Sequence, residues 1–183
     1  TAENILTRIN VQAGERVLIT GASGGVGSAA VQLAKRRGAE VIAMAADAKA
    51  DSVRALGATQ VIPREANLVS LFGQEYFDAA VDIVGGAQFG EILNVLKRGG
   101  RYGVSGAISG PVVDLDLRTL YLKDLRLIGC TVLEPEVFAN LVSYIENGEI
   151  RPVVAATYDL FDIVKAQEAF LTKQHVGKIV LSL

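Results

Sequence analysis

The segment TGASGGVG, residues 20–27, is the part of the chain best suited to binding chemistry, because four of its eight residues are glycines. A strand ending there, then a tight turn and a helix beginning near Gly25, would gather unpaired backbone N–H groups and the positive end of a helix dipole at one point. Such a point binds phosphate, and glycines let the phosphate come close to the backbone. The segment therefore indicates a pyrophosphate site. A tight strand-to-helix turn without any ligand is the alternative.

The spacing of the glycines matches most of the dinucleotide fingerprint G-x-G-x-x-G. The chain reads A-S-G-G-V-G, so Ala22 replaces the first glycine, while Gly24 and Gly27 hold the second and third positions. In this pattern Gly24 lets the backbone approach the phosphates, and Gly27 lets the helix pack closely on the first strand. The fingerprint is weak by itself, but its place between a strand and a helix strengthens it.

The next apolar segment, VIAMAADAK, bears on which dinucleotide would bind. An acidic residue at the end of the second strand would accept the ribose hydroxyls of NAD. Ala45 and Ala46 stand there instead, and Asp47 follows slightly beyond. Lys49 and Arg64 supply two cations in reach of a 2′-phosphate. The pattern favours NADP(H) over NAD(H). In the alternative, both cations are solvated and Asp47 turns to the ribose.

Metal and nucleophile chemistry have few candidate residues, since the chain holds one cysteine, Cys130, and one histidine, His175. A catalytic zinc ion needs three protein ligands, so the sequence predicts no metal site in this chain. Cys130 lies in an apolar segment, and we expect it to be buried rather than nucleophilic. His175 comes just before the last strand and is expected in a turn or at the surface.

These residues need a scaffold of alternating strands and helices, and the hydrophobic pattern supplies one. Strands are predicted at residues 16–20, 40–45, 59–62, 79–84 and 100–106, and helices at 25–37, 50–56, 68–73 and 89–96. Strands that alternate with helices, without two-residue hairpin turns, indicate βαβ units. The predicted fold is α/β, with a doubly wound parallel sheet covered on both faces. The apolar segment 125–133, LRLIGCTVL, is a further strand expected at the sheet edge.

Composition and charge exclude several classes of protein. The chain has 183 residues, half of them apolar, and a net charge of −2 with interspersed signs, so no basic stripe is available for nucleic acid. Its apolar segments are shorter than the roughly 20 residues of a membrane span. The first residues lack a secretory pattern, and a single cysteine permits no internal disulfide. We therefore expect a cytoplasmic protein that binds neither membrane nor nucleic acid.

Five segments, in this order and spacing, resemble the medium-chain dehydrogenase/reductase superfamily, most closely its quinone oxidoreductase branch. They are VLITGASGGVGSAAVQLAKRRGAEVIA, DIVGG, LKRGGRYGVSG, LRLIGCTV and HVGKIVLSL. The resemblance implies a Rossmann fold over residues 1–150 that binds the dinucleotide. Residues 151–183 would return to a GroES-like catalytic domain, whose N-terminal part is missing from this chain.

The resemblance also implies cofactor contacts, position by position. The diphosphate turn matches at Ser23, Gly24, Gly25 and Val26, beside Ala22 and Gly27 of the fingerprint. The adenosine side matches at Ala46, Lys49 and Gly85, with Arg64 nearby. The nicotinamide end matches at Ser105, Gly106, Ala107, Cys130, Thr131 and Val132. Two departures stand out: the loop between Val41 and Lys49 is one residue shorter than usual, and Pro63 stands where NADPH-using relatives often have Tyr or His. The second departure weakens the expected preference for NADP.

The activity implied by resemblance is zinc-free hydride transfer from NADPH to a quinone or an activated enone, in a cleft between two domains. The alternatives are a zinc-dependent alcohol dehydrogenase, an enoyl reductase module of a multienzyme, and a non-catalytic nucleotide-sensing module. With half of the cleft absent, we expect this chain to bind cofactor without turnover, and residues 151–183 to be the part most exposed. The strand at 125–133 is expected to pair with its copy in a homodimer. The alternative is an edge covered by a helix at 135–147.

Overall fold

The computed structural model describes all 183 residues, Thr1–Leu183. Six strands form the main sheet: β1 Arg16–Ile19, β2 Glu40–Met44, β3 Gln60–Ile62, β4 Phe77–Asp82, β5 Leu96–Val104 and β6 Arg126–Gly129. Their order is β3-β2-β1-β4-β5-β6, and every neighbouring pair is parallel. The predicted parallel α/β sheet is therefore confirmed.

Helices lie along both faces of this sheet. They are α1 Ala2–Arg8, α2 Gly25–Arg36, α3 Ala50–Ala55, α4 Leu68–Phe72, α5 Phe89–Val95, α6 Leu117–Leu122 and α7 Pro135–Glu146. None of the helices has the length and apolar character needed to cross a membrane.

The side chains of alternate strand residues lie in two separate apolar cores, one on each face of the sheet. On β1, Val17 and Ile19 belong to a cluster of 21 buried residues that includes residues of α1 and α2. Leu18, between them, belongs to a cluster of 14 that includes residues of α4 and α5. Because successive side chains of a strand point to opposite faces, this division shows that the sheet is covered on both sides. The doubly wound prediction is confirmed.

The strand order places a crevice at the centre of the sheet. The chain begins in the middle with β1, adds β2 and β3 on one side, and then crosses to β4, β5 and β6 on the other. In doubly wound sheets, ligands bind outside the carboxyl ends of the strands at this change of direction. The turn after β1 and the loop after β4 border that crevice.

Residues 151–183 form a smaller unit with its own sheet. It comprises β7 Val154–Asp159, α8 Ile163–Leu171 and β8 Lys178–Ser182, and the two strands pair in parallel. The sequence predicted the last strand but not β7 or α8. Side chains of this unit are largely exposed. The boundary at residue 150 stays a prediction.

Two further differences from the sequence-based expectation concern short elements. Helices α1 and α6 were not predicted, because six- and seven-residue helices show too few turns for a clear period. The edge strand is shorter than the predicted 125–133, since the sheet pairing of β6 spans Arg126–Gly129. Residues beyond Cys130 leave the sheet and lead into α7.

Candidate cofactor site

The turn between β1 and α2 has the geometry of an anion site. Gly21 takes a left-handed conformation with φ +57°, which glycine adopts without strain. Gly24 is the N-cap residue of α2 and provides no side-chain hydrogen bond to the first turn. The first N–H groups of a helix have no partner within the helix, so those of α2 need an acceptor from outside it.

The two fingerprint glycines have different local roles. A Cβ atom on Gly27 would lie 2.2 Å from the carbonyl oxygen of Gly21 and 2.7 Å from the Cα of Ala22. The close approach of α2 to the turn therefore requires glycine at position 27. A Cβ atom on Gly24 would meet nothing nearer than the Gly21 oxygen, at 3.4 Å. The chain itself thus leaves space beside Gly24.

The start of β8 lies against this turn. The N–H of Gly177 donates to the carbonyl oxygen of Ser23 at 2.9 Å, and Gly24 and Gly177 form an isolated parallel bridge. The ammonium of Lys178 sits 2.7 Å from the point that a Cβ atom on Gly25 would occupy. Lys178 therefore adds a positive charge at the N-terminus of α2. Sequence reasoning missed it, because no local pattern links residue 178 to residues 23–25.

The predicted adenosine side forms a small open pocket between the ends of β2 and β3. The pocket has a volume of about 180 Å³ and is lined by Ala45, Ala46, Asp47, Pro63, Arg64 and Glu65. Ala45 is buried and Ala46 is apolar, so the end of β2 offers no carboxylate where an NAD site would have one. Asp47 and Arg64 both line this pocket, so it contains the carboxylate expected to bind the ribose of NAD(H) and a cation expected to bind the 2′-phosphate of NADP(H). The structure is therefore compatible with either dinucleotide.

Lys49 stands beside this pocket but is held by the C-terminal unit. Its ammonium donates to the carbonyl oxygens of Lys173 at 2.6 Å and His175 at 2.8 Å. Partial burial, and then the charge of Arg64, lower the pKa of Lys49. Partial burial and the charges of Lys49 and Lys173 likewise lower the pKa of His175. The structure thus places Lys49 close enough to Arg64 for their charges to interact, and it attaches Lys49 to the backbone of residues 173 and 175.

The loops after β4 and β5 meet closely on the other side of the crevice. A Cβ atom on Gly85 would lie 3.2 Å from the Cα of Ala107, and one on Gly106 would lie 2.7 Å from the carbonyl oxygen of Ile83. The N–H of Ser105 donates to the carbonyl oxygen of Asp82 at 3.1 Å. The structure therefore places Gly85, expected on the adenosine side, against residues 105–107, expected at the nicotinamide end.

The segment after β6 completes this edge of the sheet. The N–H of Cys130 donates to the carbonyl oxygen of Val104 at 2.9 Å, and its side chain is buried. Burial raises the pKa of the Cys130 thiol, which keeps it protonated. Thr131 and Val132 are exposed, and Arg8 donates to the carbonyl oxygen of Val132 at 3.1 Å. Cys130 is therefore buried, as predicted, and its side chain belongs to the apolar core that includes α1 and α2.

Comparison with known proteins identifies the family. The family model described as zinc-binding dehydrogenase matches residues 25–147, more than half of the chain. The chain therefore belongs to the medium-chain dehydrogenase/reductase superfamily.

Two curated relatives match nearly the whole chain. The acryloyl-coenzyme A reductase of Metallosphaera sedula is 36% identical over 97% of this chain and 53% of its own length. The human quinone oxidoreductase is 30% identical over 94% of this chain and 56% of its own length. The chain thus spans about half the length of these relatives.

Solved structures agree with this assignment. A putative alcohol dehydrogenase from Sinorhizobium meliloti 1021 superposes with a TM-score of 0.93 at 44% identity, over all of this chain and 52% of that one. The 2-octenoyl-CoA carboxylase reductase CinF, in complex with NADP and 2-octenoyl-CoA, superposes with a TM-score of 0.88 at 28% identity, over 98% of this chain and 47% of that one.

Proposed function

We propose that this chain is the cofactor-binding half of a zinc-free, NADPH-dependent reductase that transfers hydride to an activated double bond or a quinone. The observation that carries the proposal is the turn at residues 21–27. It opens the N-terminus of α2 toward the crevice between β1 and β4, leaves room beside Gly24, and lies next to the ammonium of Lys178. A pyrophosphate fits a site with these N–H donors and this charge.

Each part of the crevice would have its own task. The backbone of Ser23, Gly24, Gly25 and Val26 would bind the diphosphate, assisted by Lys178. The pocket at Ala46 and Arg64 would take the adenosine ribose. The loops at Gly85, at residues 105–107 and at residues 130–132 would orient the nicotinamide. When bound, the dinucleotide supplies the hydride, so the protein has to bind, orient and exclude water.

The proposed acceptor is a carbon polarised by a neighbouring carbonyl group. Relatives named for enoyl-thioester reduction, such as the M. sedula protein and CinF, support an α,β-unsaturated thioester. The human quinone oxidoreductase supports a quinone. Both kinds of molecule accept hydride at an electron-poor carbon, so one cofactor geometry serves either. Assays of the full-length protein with an enoyl-CoA thioester and with a quinone decide between them.

The proposed preference for NADPH rests on Lys49 and Arg64, and calorimetric titration tests it. We expect NADPH to bind about five- to thirtyfold more tightly than NADH, because partly exposed cations each add on the order of 1 kcal/mol toward a phosphate. Lys49→Glu should reverse the order, and the preference of the wild-type chain should shrink as salt rises.

A matched variant separates reversal of the charge at position 49 from loss of the hydrogen bonds that Lys49 makes to the C-terminal unit. Lys49→Met keeps the aliphatic stem but loses the hydrogen bonds to the carbonyl groups of Lys173 and His175. It should therefore weaken the preference without reversing it. Equal binding of NADH and NADPH at low salt, with a ratio that Lys49→Glu leaves unchanged, would contradict the phosphate site and favour Asp47 as the ribose partner.

A zinc-dependent alcohol dehydrogenase is the second candidate, favoured by the description of the matching family and by the S. meliloti relative. The zinc-free proposal draws instead on the A-S-G-G-V-G turn, which resembles that of the quinone oxidoreductase branch. Metal analysis of the purified full-length protein distinguishes them. About one equivalent of zinc that is required for alcohol oxidation would favour the dehydrogenase.

We also propose that the protein forms a homodimer through β6. This strand ends the sheet order, so its outer edge has no partner within the chain. Unpaired N–H and C=O groups of an edge strand readily pair with a second chain. A two-fold arrangement of two such edges would join the two sheets into one.

A further inference from the structure

The carboxylate of Asp82 lies at the floor of the crevice, in the segment DIVGG. Asp82 ends β4, and only 1% of its surface is exposed. Its Oδ1 atom accepts hydrogen bonds from the Thr20 hydroxyl at 2.6 Å and from the N–H groups of Val84 at 2.9 Å and Gly85 at 3.0 Å. Its Oδ2 atom accepts from the Tyr102 hydroxyl at 2.5 Å. Both oxygens act as acceptors, and three of the four donors lie next to the diphosphate turn or in the loop after β4.

These four hydrogen bonds connect three adjacent strands. Thr20 directly precedes the diphosphate turn, and its hydroxyl also accepts the N–H of Ile83 at 3.1 Å. Gly85 lies in the loop after β4 with φ +66°, and Tyr102 belongs to β5. Burial and the neighbouring Asp82 raise the pKa of the Tyr102 phenol, so it stays protonated as a donor. One side chain thus ties the carboxyl ends of β1, β4 and β5.

The loops that Asp82 connects also lie close to each other and to the loop after β5. A Cβ atom on Gly21 would lie 3.0 Å from the Cγ2 of Val84. One on Gly85 would lie 3.0 Å from the carbonyl oxygen of Gly110. Close packing of this kind transmits strain rather than absorbing it.

We propose that Asp82 is a positioning residue that sets the spacing between the diphosphate turn and the loop after β4, and thereby the fit of the crevice to a dinucleotide. This inference rests on the proposed function and deepens it. Asp82 touches no part of the expected ligand and acts through the backbone of Val84 and Gly85. A buried carboxylate is costly unless its oxygens are well paired. The four donors offset that cost at the point where the loop geometry matters.

Asp78 provides a matched control on the same strand. Its carboxylate lies at the opposite end of β4 and accepts from the N–H of Arg16 at 2.8 Å and from the ammonium of Lys97 at 2.6 Å. Asp82→Ala and Asp78→Ala remove the same group from the two ends of one strand. Asp82→Asn keeps an acceptor oxygen for Val84 and Gly85 and offers its amide to the Tyr102 oxygen.

The experiment compares these variants by calorimetric titration with NADPH and by hydrogen exchange of backbone amides. We expect Asp82→Ala to weaken NADPH binding about tenfold or more. It should also speed exchange in residues 20–27 and 82–90. Asp78→Ala should leave the affinity unchanged whatever its effect on stability, and Asp82→Asn should stay within about threefold of wild type.

Wild-type affinity in a folded Asp82→Ala chain, unchanged exchange in residues 20–27, or an equal loss of affinity in Asp78→Ala would overturn the inference. If Asp82→Ala does not fold, Tyr102→Phe decides, because it frees only the Oδ2 atom of Asp82. We expect this variant to weaken binding about threefold and to speed exchange at residues 82–90, and unchanged values overturn the inference. A wild-type chain that binds no dinucleotide overturns the proposed function instead, and the exchange comparison still tests the positioning of the loops.

Discussion

At the scale of single residues, the two glycines of the turn show how one motif combines a structural and a functional requirement. Gly27 is required by the chain itself, since a side chain there would collide with the backbone of Gly21 and Ala22. Gly24 has an extended conformation, φ −78° and ψ 176°, that any residue can adopt. Its lack of a side chain therefore matters for what approaches from outside.

This difference predicts opposite outcomes for two substitutions. Gly24→Val should fold with nearly unchanged thermal stability but weaken cofactor binding about a hundredfold or more, because the branched side chain takes the place of the pyrophosphate. Gly27→Ala should destabilise the protein by roughly 2–4 kcal/mol, because backbone must move. Thermal unfolding and calorimetry measure both effects. Unchanged affinity in a folded Gly24→Val chain would rule out the diphosphate assignment.

Local motifs could be predicted from the sequence, whereas contacts between distant residues could not. The role of Gly27 follows from a spacing of a few residues, although the backbone that α2 approaches there is that of Gly21 and Ala22, just after the predicted first strand. The partners of Lys49 lie more than 120 residues further along the chain. Asp82 meets Thr20 across 62 residues. No periodicity encodes such pairs, because they arise only when strands and loops pack together.

At the scale of elements, the strands could be predicted where their apolar runs are continuous and buried on both faces. Residues 16–20, 40–45 and 79–84 were found close to their observed bounds. The edge strand β6 was predicted too long. Its residues Arg126 and Leu127 are exposed. β6 pairs on one side only, with β5, and this pairing ends at Val104, where β5 itself ends.

The proposed interface through β6 can be tested with a single charge. Leu127 is exposed on β6, whereas Ile128 packs against the core beside α1. Leu127→Lys should therefore yield a folded monomer, because a lysine on an edge strand opposes pairing. Light scattering at micromolar concentration measures the mass. Leu71→Lys, at an exposed leucine of α4, should remain dimeric. A monomeric wild-type chain would contradict the proposed interface.

Asp78, at the amino end of β4, should make the free energy of unfolding depend on pH. Burial alone would raise the pKa of Asp78, but hydrogen bonds from Lys97 and the backbone of Arg16, with the charges of Lys97 and Arg101, hold it below its ordinary value. A carboxyl group with a lowered pKa stabilises the fold above its unfolded pKa of about 3.9, and this contribution is lost as the pH falls through the folded pKa. We expect Asp78→Asn to cost on the order of 1 kcal/mol at neutral pH and progressively less below about pH 4. Urea unfolding across this range measures the difference, and a cost that stays constant with pH would contradict it.

At the scale of the whole molecule, the two units differ in how completely they are covered. The main sheet is buried on both faces, whereas the unit of β7, α8 and β8 exposes large apolar side chains such as Phe161 and Leu171. A two-stranded sheet is marginally stable on its own. Its contacts with Ser23 and Lys49 tie it to the proposed cofactor site. Since the chain spans about half of its relatives' length, we propose that the remaining half covers this face and closes the crevice.

This arrangement predicts that the 183-residue chain binds NADPH but does not reduce an acceptor. Hydride transfer requires the two reacting carbons to be held about 3–3.5 Å apart and shielded from water. Here Val132, at the predicted nicotinamide end, is 74% exposed. We expect saturable binding by fluorescence titration, with NADPH consumption at least about a thousandfold below a typical turnover of about 10 per second. The full-length protein should turn over, and Gly24→Val in that protein should abolish the activity. Steady turnover by the 183-residue chain alone, lost in its Gly24→Val variant, would show instead that these residues already form a complete active site.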